Sequence, residues 1–289
     1  MSTFQVIQAL SSEISLTFLC DHFSVSRSGY YAWLRRTASR RNITLSEYRG
    51  LVKNTFKKFK GRYGSPRIHI YLKSKGISIS ENTIAKLMNE EGLAARKKKS
   101  FKAVSLDERV SNEAHERIFK IEENKEFKRN EVWAGDITYI PVDNKFLYLS
   151  VVMDLKRRKI VGWSIDETLS SIGVIKALEN ACKREREVAS VFHSDQGAQY
   201  KSIGFRDTLK KYKIRGSMSR RGNCYDNAFV ETFFKTIKSE LLWNQNFLSE
   251  KHLKFEIFEY IESWYNRKRI HSSLDNKSPL EYELSALSA

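Results

Sequence analysis

The sequence predicts an α/β chain whose C-terminal half builds a mixed sheet with helices packed on it, preceded by an all-α, helix-turn-helix front. Three β-rich runs, Val132–Pro141, Phe146–Asp154 and Lys159–Ile165, are separated only by the turn-like links Val142–Lys145 and Leu155–Arg158, the pattern of an antiparallel meander. Beyond them helical and strand patterns alternate, as in a sheet covered by helices. Charge is also divided unevenly. The net charge is +17, and residues 1–102 hold 20 Lys/Arg against 6 Asp/Glu, whereas the remaining 187 residues hold 31 against 28. A front this basic points to nucleic acid, because neutralised phosphates release counterions and bind protein without regard to sequence.

Elements follow in chain order. Leu16–Leu34 reads as two short helices with a break at Phe23–Val25 and Ser26 placed to cap the second. Leu19, Phe23, Tyr30 and Trp33 supply a small shared core, and Arg27 and Ser28 stand at the exposed start of the second helix, where a helix-turn-helix meets DNA. Thr37–Lys60 is a polar, basic helical stretch. Tyr63–Leu93 repeats the two-helix layout, with Pro66 at a first helical turn, a turn at Gly76–Ser78, a cap at Ser80 or Asn82, and Gly92 suited to a C′ position. Arg96, Lys97, Lys98 and Lys99 form a basic linker expected to lie along phosphates. The expected domains are therefore 1–60, 61–102 with its linker, a polar connector over 103–130, and an α/β core over 131–289.

Within the core, Ser170–Arg186 reads as a helix, Ala189–Ser194 as a short strand, Lys201–Tyr212 as a helix and Ile214–Ser217 as another short strand. A helix from about Tyr225 then carries Val230, Phe233, Phe234, Ile237 and Leu241 on about 100° of arc, a core-facing seam. Asn227, Glu231, Lys235 and Lys238 share a second stripe beside it. Lys251–Asn266 is a further helix, rich in aromatics, followed by the basic run Arg267, Lys268, Arg269, a second place for phosphate contacts.

Cys20, Cys182 and Cys224 are odd in number and far apart, without zinc spacing, so neither a disulfide framework nor a zinc site is expected. No apolar run approaches the ~18 residues that span a bilayer. The chain is expected in the cytosol, with access to a bacterial chromosome, and away from membranes.

Three carboxylates stand out. Asp136 interrupts an apolar strand, which is costly unless something cationic compensates. Asp195 lies just past the end of the fourth strand, where α/β sheets present ligands. Glu231 is rooted beside a buried seam. Converging from two strands and a helix, three carboxylates suit two divalent cations about 4 Å apart, which activate an attacking oxygen and stabilise the leaving one in phosphoryl transfer. Oxygen-only ligation favours Mg²⁺ or Mn²⁺ over zinc. Other residues were weighed. Asp154 reads better as a turn residue with local ion pairing, Asp226 as a helix N-terminal residue, His193 as a packed histidine beside the site, and His271 equally as a surface residue.

The stretches WAGDITYI, HSDQGAQY, SRRGNCYDNAFVETFFKTIKSE and WYNRKRIHSSLDNKSPLEYE resemble those of bacterial insertion-sequence DDE transposases, the products of the second of two overlapping frames, whose core is similar to that of retroviral integrases. Asp195 and Glu231 are separated by 35 residues, the spacing of that group. The resemblance implies an RNase H-like core and a metal-binding catalytic triad of Asp136, Asp195 and Glu231. It also implies DNA contacts at Lys235 and Lys238, with Asn227 and Arg220 as further contacts. The activity implied is cleavage and joining of element ends without a covalent enzyme–DNA intermediate, using two Mg²⁺ (Mn²⁺ as substitute). The partners implied are terminal inverted repeats and target DNA, a dimer or larger synaptic assembly, and a first-frame protein or fusion. Unlike retroviral integrases, the chain has no N-terminal His/Cys zinc module. A transposase-derived DNA-binding regulator and an RNase H-type nuclease are the alternatives.

Overall fold

Serine hydroxyls cap the second helix of each two-helix layout at the front of the chain. Ser26 accepts from the Gly29 N–H at 3.0 Å and opens α3 (Arg27–Leu34), while Ser80 accepts from the Thr83 N–H at 3.2 Å and opens α6 (Glu81–Glu90). Before α3 come α2 (Leu16–His22) and a helix not anticipated from the sequence, α1 (Thr3–Leu10). Ile7 of α1 is fully buried with Leu19, Cys20 and Tyr30, so the small core has three walls, with Phe23 and Trp33 at its margin. Further on, α4 (Arg40–Lys58), α5 (Ser65–Ser74) and α6 pack together, and Arg49 and Lys53 tie α4 to Glu90 and Glu91. Gly76 and Gly92 take φ of +76° and +63°, and Gly92 ends α6 as a C′ glycine. The computed structural model describes residues 3–35, 40–96, 128–142, 145–219, 228–245, 247 and 249–287. The chain divides into two units, Met1–Leu93 and Ala94–Ala289.

In the second unit the described strands form one five-stranded sheet of order β3-β2-β1-β4-β5. β1 (Val132–Val142), β2 (Lys145–Asp154) and β3 (Ile160–Asp166) are the expected antiparallel meander. After the helix α7 (Ser171–Arg184), β4 (Val191–Ser194) returns parallel to β1, and β5 (Arg215–Met218) lies parallel to β4. The helix expected over Lys201–Tyr212 is α9 (Ile203–Lys211), and a short helix not anticipated, α8 (Ala198–Lys201), precedes it. They break at Ser202, whose hydroxyl caps α9 by accepting from the Phe205 N–H at 3.2 Å. α10 (Ala228–Glu240) and α11 (Glu250–Phe258) follow, the latter continuing into a π-helical segment Glu259–Tyr265, and α12 (Pro279–Leu287) closes the unit. This mixed α/β architecture, behind a helical front, is the predicted fold class.

One core lies between the sheet and the helices α7 and α9, formed by Trp133, Val152, Val161, Val174, Leu178, Phe192, Phe205 and their neighbours. Gly162 sets how closely α7 approaches. A Cβ there would lie 2.2 Å from the Ala177 carbonyl oxygen and 2.7 Å from the Ala181 amide nitrogen, both backbone atoms that cannot turn aside. Gly162→Ala is accordingly expected to destabilise the unit by about 3 kcal/mol, the upper end of overpacking costs. Urea denaturation midpoints of the two proteins check this.

Candidate active site

The strand register brings the first two carboxylates together. β1 and β4 are parallel neighbours with Ala134 opposite His193, so Asp136 and Asp195 each stand two residues farther along and reach the same level of the sheet. β4 ends at Ser194, so Asp195 leaves the strand exposed at its tip, and its Oδ1 accepts from the Gly197 N–H at 2.9 Å. Asp136 is half-buried, on the face of β1 opposite Trp133 and Gly135. Gly135 is needed for that placement. A Cβ on it would lie 2.4 Å from Phe192 Cζ and 3.3 Å from the Tyr200 hydroxyl.

Glu231 arrives from the first described turn of α10. The seam read from the sequence is the buried one: Val230, Phe233, Phe234, Ile237 and Leu241 are all in the interior. Glu231 is half-buried beside it, with Lys235 Nζ at 3.5 Å from Glu231 Oε2. Asp136, Glu231, Lys235 and Lys238 line one cleft of about 850 Å³ that runs on along β1 past Tyr139 to Val142.

The electrostatics single out Asp136. Burial pushes its carboxyl up to about 7; the Ile137 N–H, which donates to Asp136 Oδ1 at 2.8 Å, opposes this, and the charges of Asp195 and Glu231 add to it. Lys238 lies close enough to oppose the rise, and its own ammonium is held below the ordinary lysine value by burial. Tyr200 is buried under the pair, its phenol raised well above the ordinary value by burial and then by Asp136 and Asp195, so it stays neutral. Among the described residues no group of three or more His, Cys, Asp or Glu is gathered tightly enough to hold one ion. Asp195 and Glu231 are both near enough to Asp136 for their charges to act on it. Their all-oxygen donor set, and the burial and like charges that oppose ionisation of Asp136, fit hard divalent cations.

His193 is buried and bridges two serines, with Nδ1 3.0 Å from Ser217 Oγ and Nε2 3.0 Å from Ser219 Oγ. It ties β4 to β5 and to the residue after β5, as a packed histidine beside the site. Asp154 is fully buried in its turn, accepting from the Asn130 N–H at 2.8 Å and the Arg157 N–H at 2.7 Å, and is ion-paired with Arg157.

The expected DNA contacts fall in different settings. Arg27 and Ser28 are exposed at the start of α3, and Arg267 and Lys268 are exposed after the π-helical segment. Arg96 is half-buried and donates to the Glu240 carbonyl. Arg220 and Asn227, and the linker residues Lys97, Lys98 and Lys99, lie outside the described residues, as do Asp226 and Cys224. Arg269 requires a correction. It is buried and its guanidinium grips Glu240, with Nε at 3.0 Å from Oε1 and Nη2 at 2.9 Å, so it is not available to phosphate. A basic run looks alike in sequence whether or not one member turns inward.

Glu240 was missed by sequence reasoning, and it seats the helix that carries Glu231. Its Oε2 accepts from Tyr260 Oη at 2.9 Å and Trp264 Nε1 at 3.1 Å. Burial alone would raise its carboxyl, but Arg269 and these donors hold it below the ordinary value. A carboxyl lowered in the fold contributes stability above its unfolded value and loses it as pH falls through the folded one. Glu240→Gln is expected to cost about 3–5 kcal/mol at neutral pH, since Arg269 is left buried and unpaired. The deficit against wild type should shrink below about pH 4, and melting curves from pH 7 to 3 check both. For Asp136 the sign is opposite. A carboxyl raised in the fold stabilises while protonated, and that contribution is lost as pH rises through about 7. Metal-free Asp136→Asn should therefore melt above wild type at pH 8, with the two curves meeting near about pH 4.

Comparison with known families follows this geometry. Residues 127–224 and 231–287 match models of the integrase core domain, and residues 46–101 match an HTH-like domain. The chain is 35% identical over 285 residues to transposase InsF for insertion sequence IS3A of Escherichia coli K12, covering 96% of each. It is 37% identical over 254 residues to the transposase for insertion sequence element IS904 of Lactococcus lactis, covering 86% of this chain and 98% of that protein. Among solved structures, the HTLV-2 integrase catalytic core domain in complex with magnesium aligns at 16% identity and a TM-score of 0.42, over 54% of this chain and 97% of that one. The catalytic core domain of BIV integrase aligns at 17% and 0.42, over 55% and 97%.

Proposed function

The chain belongs to the insertion-sequence transposases that carry an integrase core, and from that premise we propose that Asp136, Asp195 and Glu231 hold two Mg²⁺ ions for the cutting and joining of element ends. The observation that carries this reading is Asp136: a half-buried carboxyl whose charge is opposed by burial and by both other carboxylates. A side chain so placed is costly to the fold unless a cation completes it. Asp136 senses the charges of both Asp195 and Glu231, so the three would hold the cations together. Mn²⁺ is expected to substitute for Mg²⁺, since the donors are all oxygen.

When bound there, such cations lower the pKa of an attacking water or 3′-hydroxyl and stabilise the leaving oxygen of the phosphodiester. The chain's own residues orient the reacting DNA. Lys235 and Lys238, one and two turns after Glu231 on the same helix, meet the phosphates flanking the scissile one. Tyr200 and Gly135 fix the backbone beneath Asp136. The phosphoryl group is proposed to pass directly to an attacking water or DNA 3′-hydroxyl, which gives up its proton as the bond to the departing oxygen breaks, with no covalent enzyme–DNA intermediate.

The helices of 1–60 and 61–102 are assigned to double-stranded DNA at the terminal repeats, with Arg27 and Ser28 at the contact surface, supported by the HTH-like match and the basic front. Arg267 and Lys268 are assigned to DNA as well, along with Lys97, Lys98, Lys99, Arg220 and Asn227. Arg96 supports the same stretch through its bond to α10. A paired-end assembly of two or more copies, and a first-frame protein or fusion, complete the proposed machinery. Among the described residues no helix is long and apolar enough to cross a membrane; the proposed work on chromosomal DNA would be done in the cytoplasm.

The test is strand cleavage and joining on a duplex carrying the flanking element end, with Mg²⁺, Mn²⁺ or Ca²⁺. Wild type is expected to give joined products with Mg²⁺ and Mn²⁺ but not with Ca²⁺. Glu231→Gln should lose at least about 10²–10³-fold, the scale of removing one preorganised electrostatic group. Binding without joining by wild type, with the first-frame protein also present, would instead identify a DNA-binding regulator. Cutting without joining would identify a nuclease.

A further inference from the structure

The cleft extends well beyond the carboxylates, and its far end has a chemistry that metal binding does not explain. β4 pairs with β1 only at Val132, Trp133 and Ala134, whereas β1 runs on to Val142 with β2 alone beside it. The β1 edge beyond β4 lines the cleft together with α10 and with Leu242, Trp243, Gln245 and Phe247. Lys235 and Lys238 stand beside the carboxylates, and farther along the walls carry the aromatic rings of Tyr139, Trp243 and Phe247 among aliphatic side chains such as Ile140 and Val142. Tyr139 is 60% exposed and Trp243 39% exposed, high for rings at the wall of a concavity.

Tyr139 is not loose. Its ring meets Phe146 edge-on at 5.5 Å between centroids, and Lys238 Nζ sits 5.2 Å from its centre. A braced ring that stays 60% exposed with an ammonium over it, next to phosphate chemistry, suits a flat ring linked to a phosphate. The volume, about 850 Å³, falls within the roughly 300–1,000 Å³ of ligand-sized clefts. Paired bases inside a duplex have both faces covered by their neighbours and cannot offer one to Tyr139. A base turned out of the stack at a DNA end offers both its π-face and its own flexible phosphate to such a ring and ammonium.

We propose that this cleft is a subsite for one unpaired nucleobase of the DNA end, stacked on Tyr139 with its phosphate held by Lys238, so that the adjoining phosphodiester is delivered to Asp136 and Glu231. This rests on the transposase chemistry proposed above. Tyr139 acts here as a positioning residue: it touches the nucleotide next to the reacting phosphate and sets where that phosphate lies. Stacking of this kind is sequence-tolerant, since every base has a π-face.

A double-mutant cycle between protein and DNA tests the subsite in the full chain. Wild type, Tyr139→Ala and Tyr139→Trp are assayed on the element-end duplex and on duplexes with a single abasic site at each of the terminal positions of either strand. Joining is read with Mg²⁺ and binding with Ca²⁺. Tyr139→Ala should lose roughly 5- to 150-fold on the intact end, the span of one stacked base, and Tyr139→Trp should restore most of it. At one terminal position the abasic duplex should cost wild type the same factor and Tyr139→Ala nothing further. An equal loss by Tyr139→Ala on intact and on every abasic duplex would overturn the proposal and assign the cleft to protein–protein packing. Full activity of Tyr139→Ala would overturn it too. If wild type binds but never joins, the transposase chemistry fails separately, and the binding cycle still decides the subsite.

Discussion

The parallel pairing of β1 with β4 is the constraint on which the site depends. With Ala134 opposite His193, two carboxylates 59 positions apart in the chain stand at one level on adjacent strands. A slip of one residue would move Asp136 to the other face of the sheet, into the apolar core with Trp133 and Phe192. Gly135 and Phe192 fit without room for a Cβ, which makes the local packing as exacting as the hydrogen-bond ladder. The same short β4 that ends beside Asp136 also leaves the β1 edge open. Carboxylates and cleft therefore have a single cause: one strand of four residues beside one of eleven.

The third carboxylate depends on how α10 is held. Its apolar seam fixes rotation about the helix axis, since turning Glu231 away would expose Phe233 and Ile237. Position along that axis is fixed at the other end, where Glu240 meets Arg269, Tyr260 and Trp264. A carboxylate in the last turn opposes the helix dipole, so Glu240 is tolerable there only with a strong cationic partner. The ion pair thus specifies where the helix stops, and through it where Glu231 stands.

A second buried ion network performs a comparable task at the C-terminal end of β2. Arg157 joins Asp154, Glu185 and Glu283 at 3.3, 3.1 and 2.7 Å, and Lys159 adds further bonds to Glu185 and Glu283. The turn between β2 and β3, the end of α7 and the C-terminal helix α12 are joined there by charge. The core's negative side chains therefore divide into two sets. Asp154, Glu185, Glu240 and Glu283 have cationic partners within the fold and hold elements together, whereas Asp136 has its charge opposed by its surroundings.

The sequence by itself determined the meander, the serine-capped helices and the seam of α10, because these are written in periods of 2 and 3.6 and in capping residues that act within one turn. It also marked Asp136 and Glu231 through local context: an acid in an apolar strand, and an acid beside a buried seam. It did not separate Arg269 from Arg267 and Lys268, nor single out Glu240 among the polar positions of its helix, because partners 29 residues apart leave no local periodicity. Nor did it show that a short helix, α8, precedes α9 and breaks from it at Ser202, or that Gly135 is pressed against Phe192. Only the tertiary structure decided which charges are neutralised inside the fold and which are left to face a cleft. That choice depends on the distance between elements, and distance between elements is set by packing rather than by any one segment.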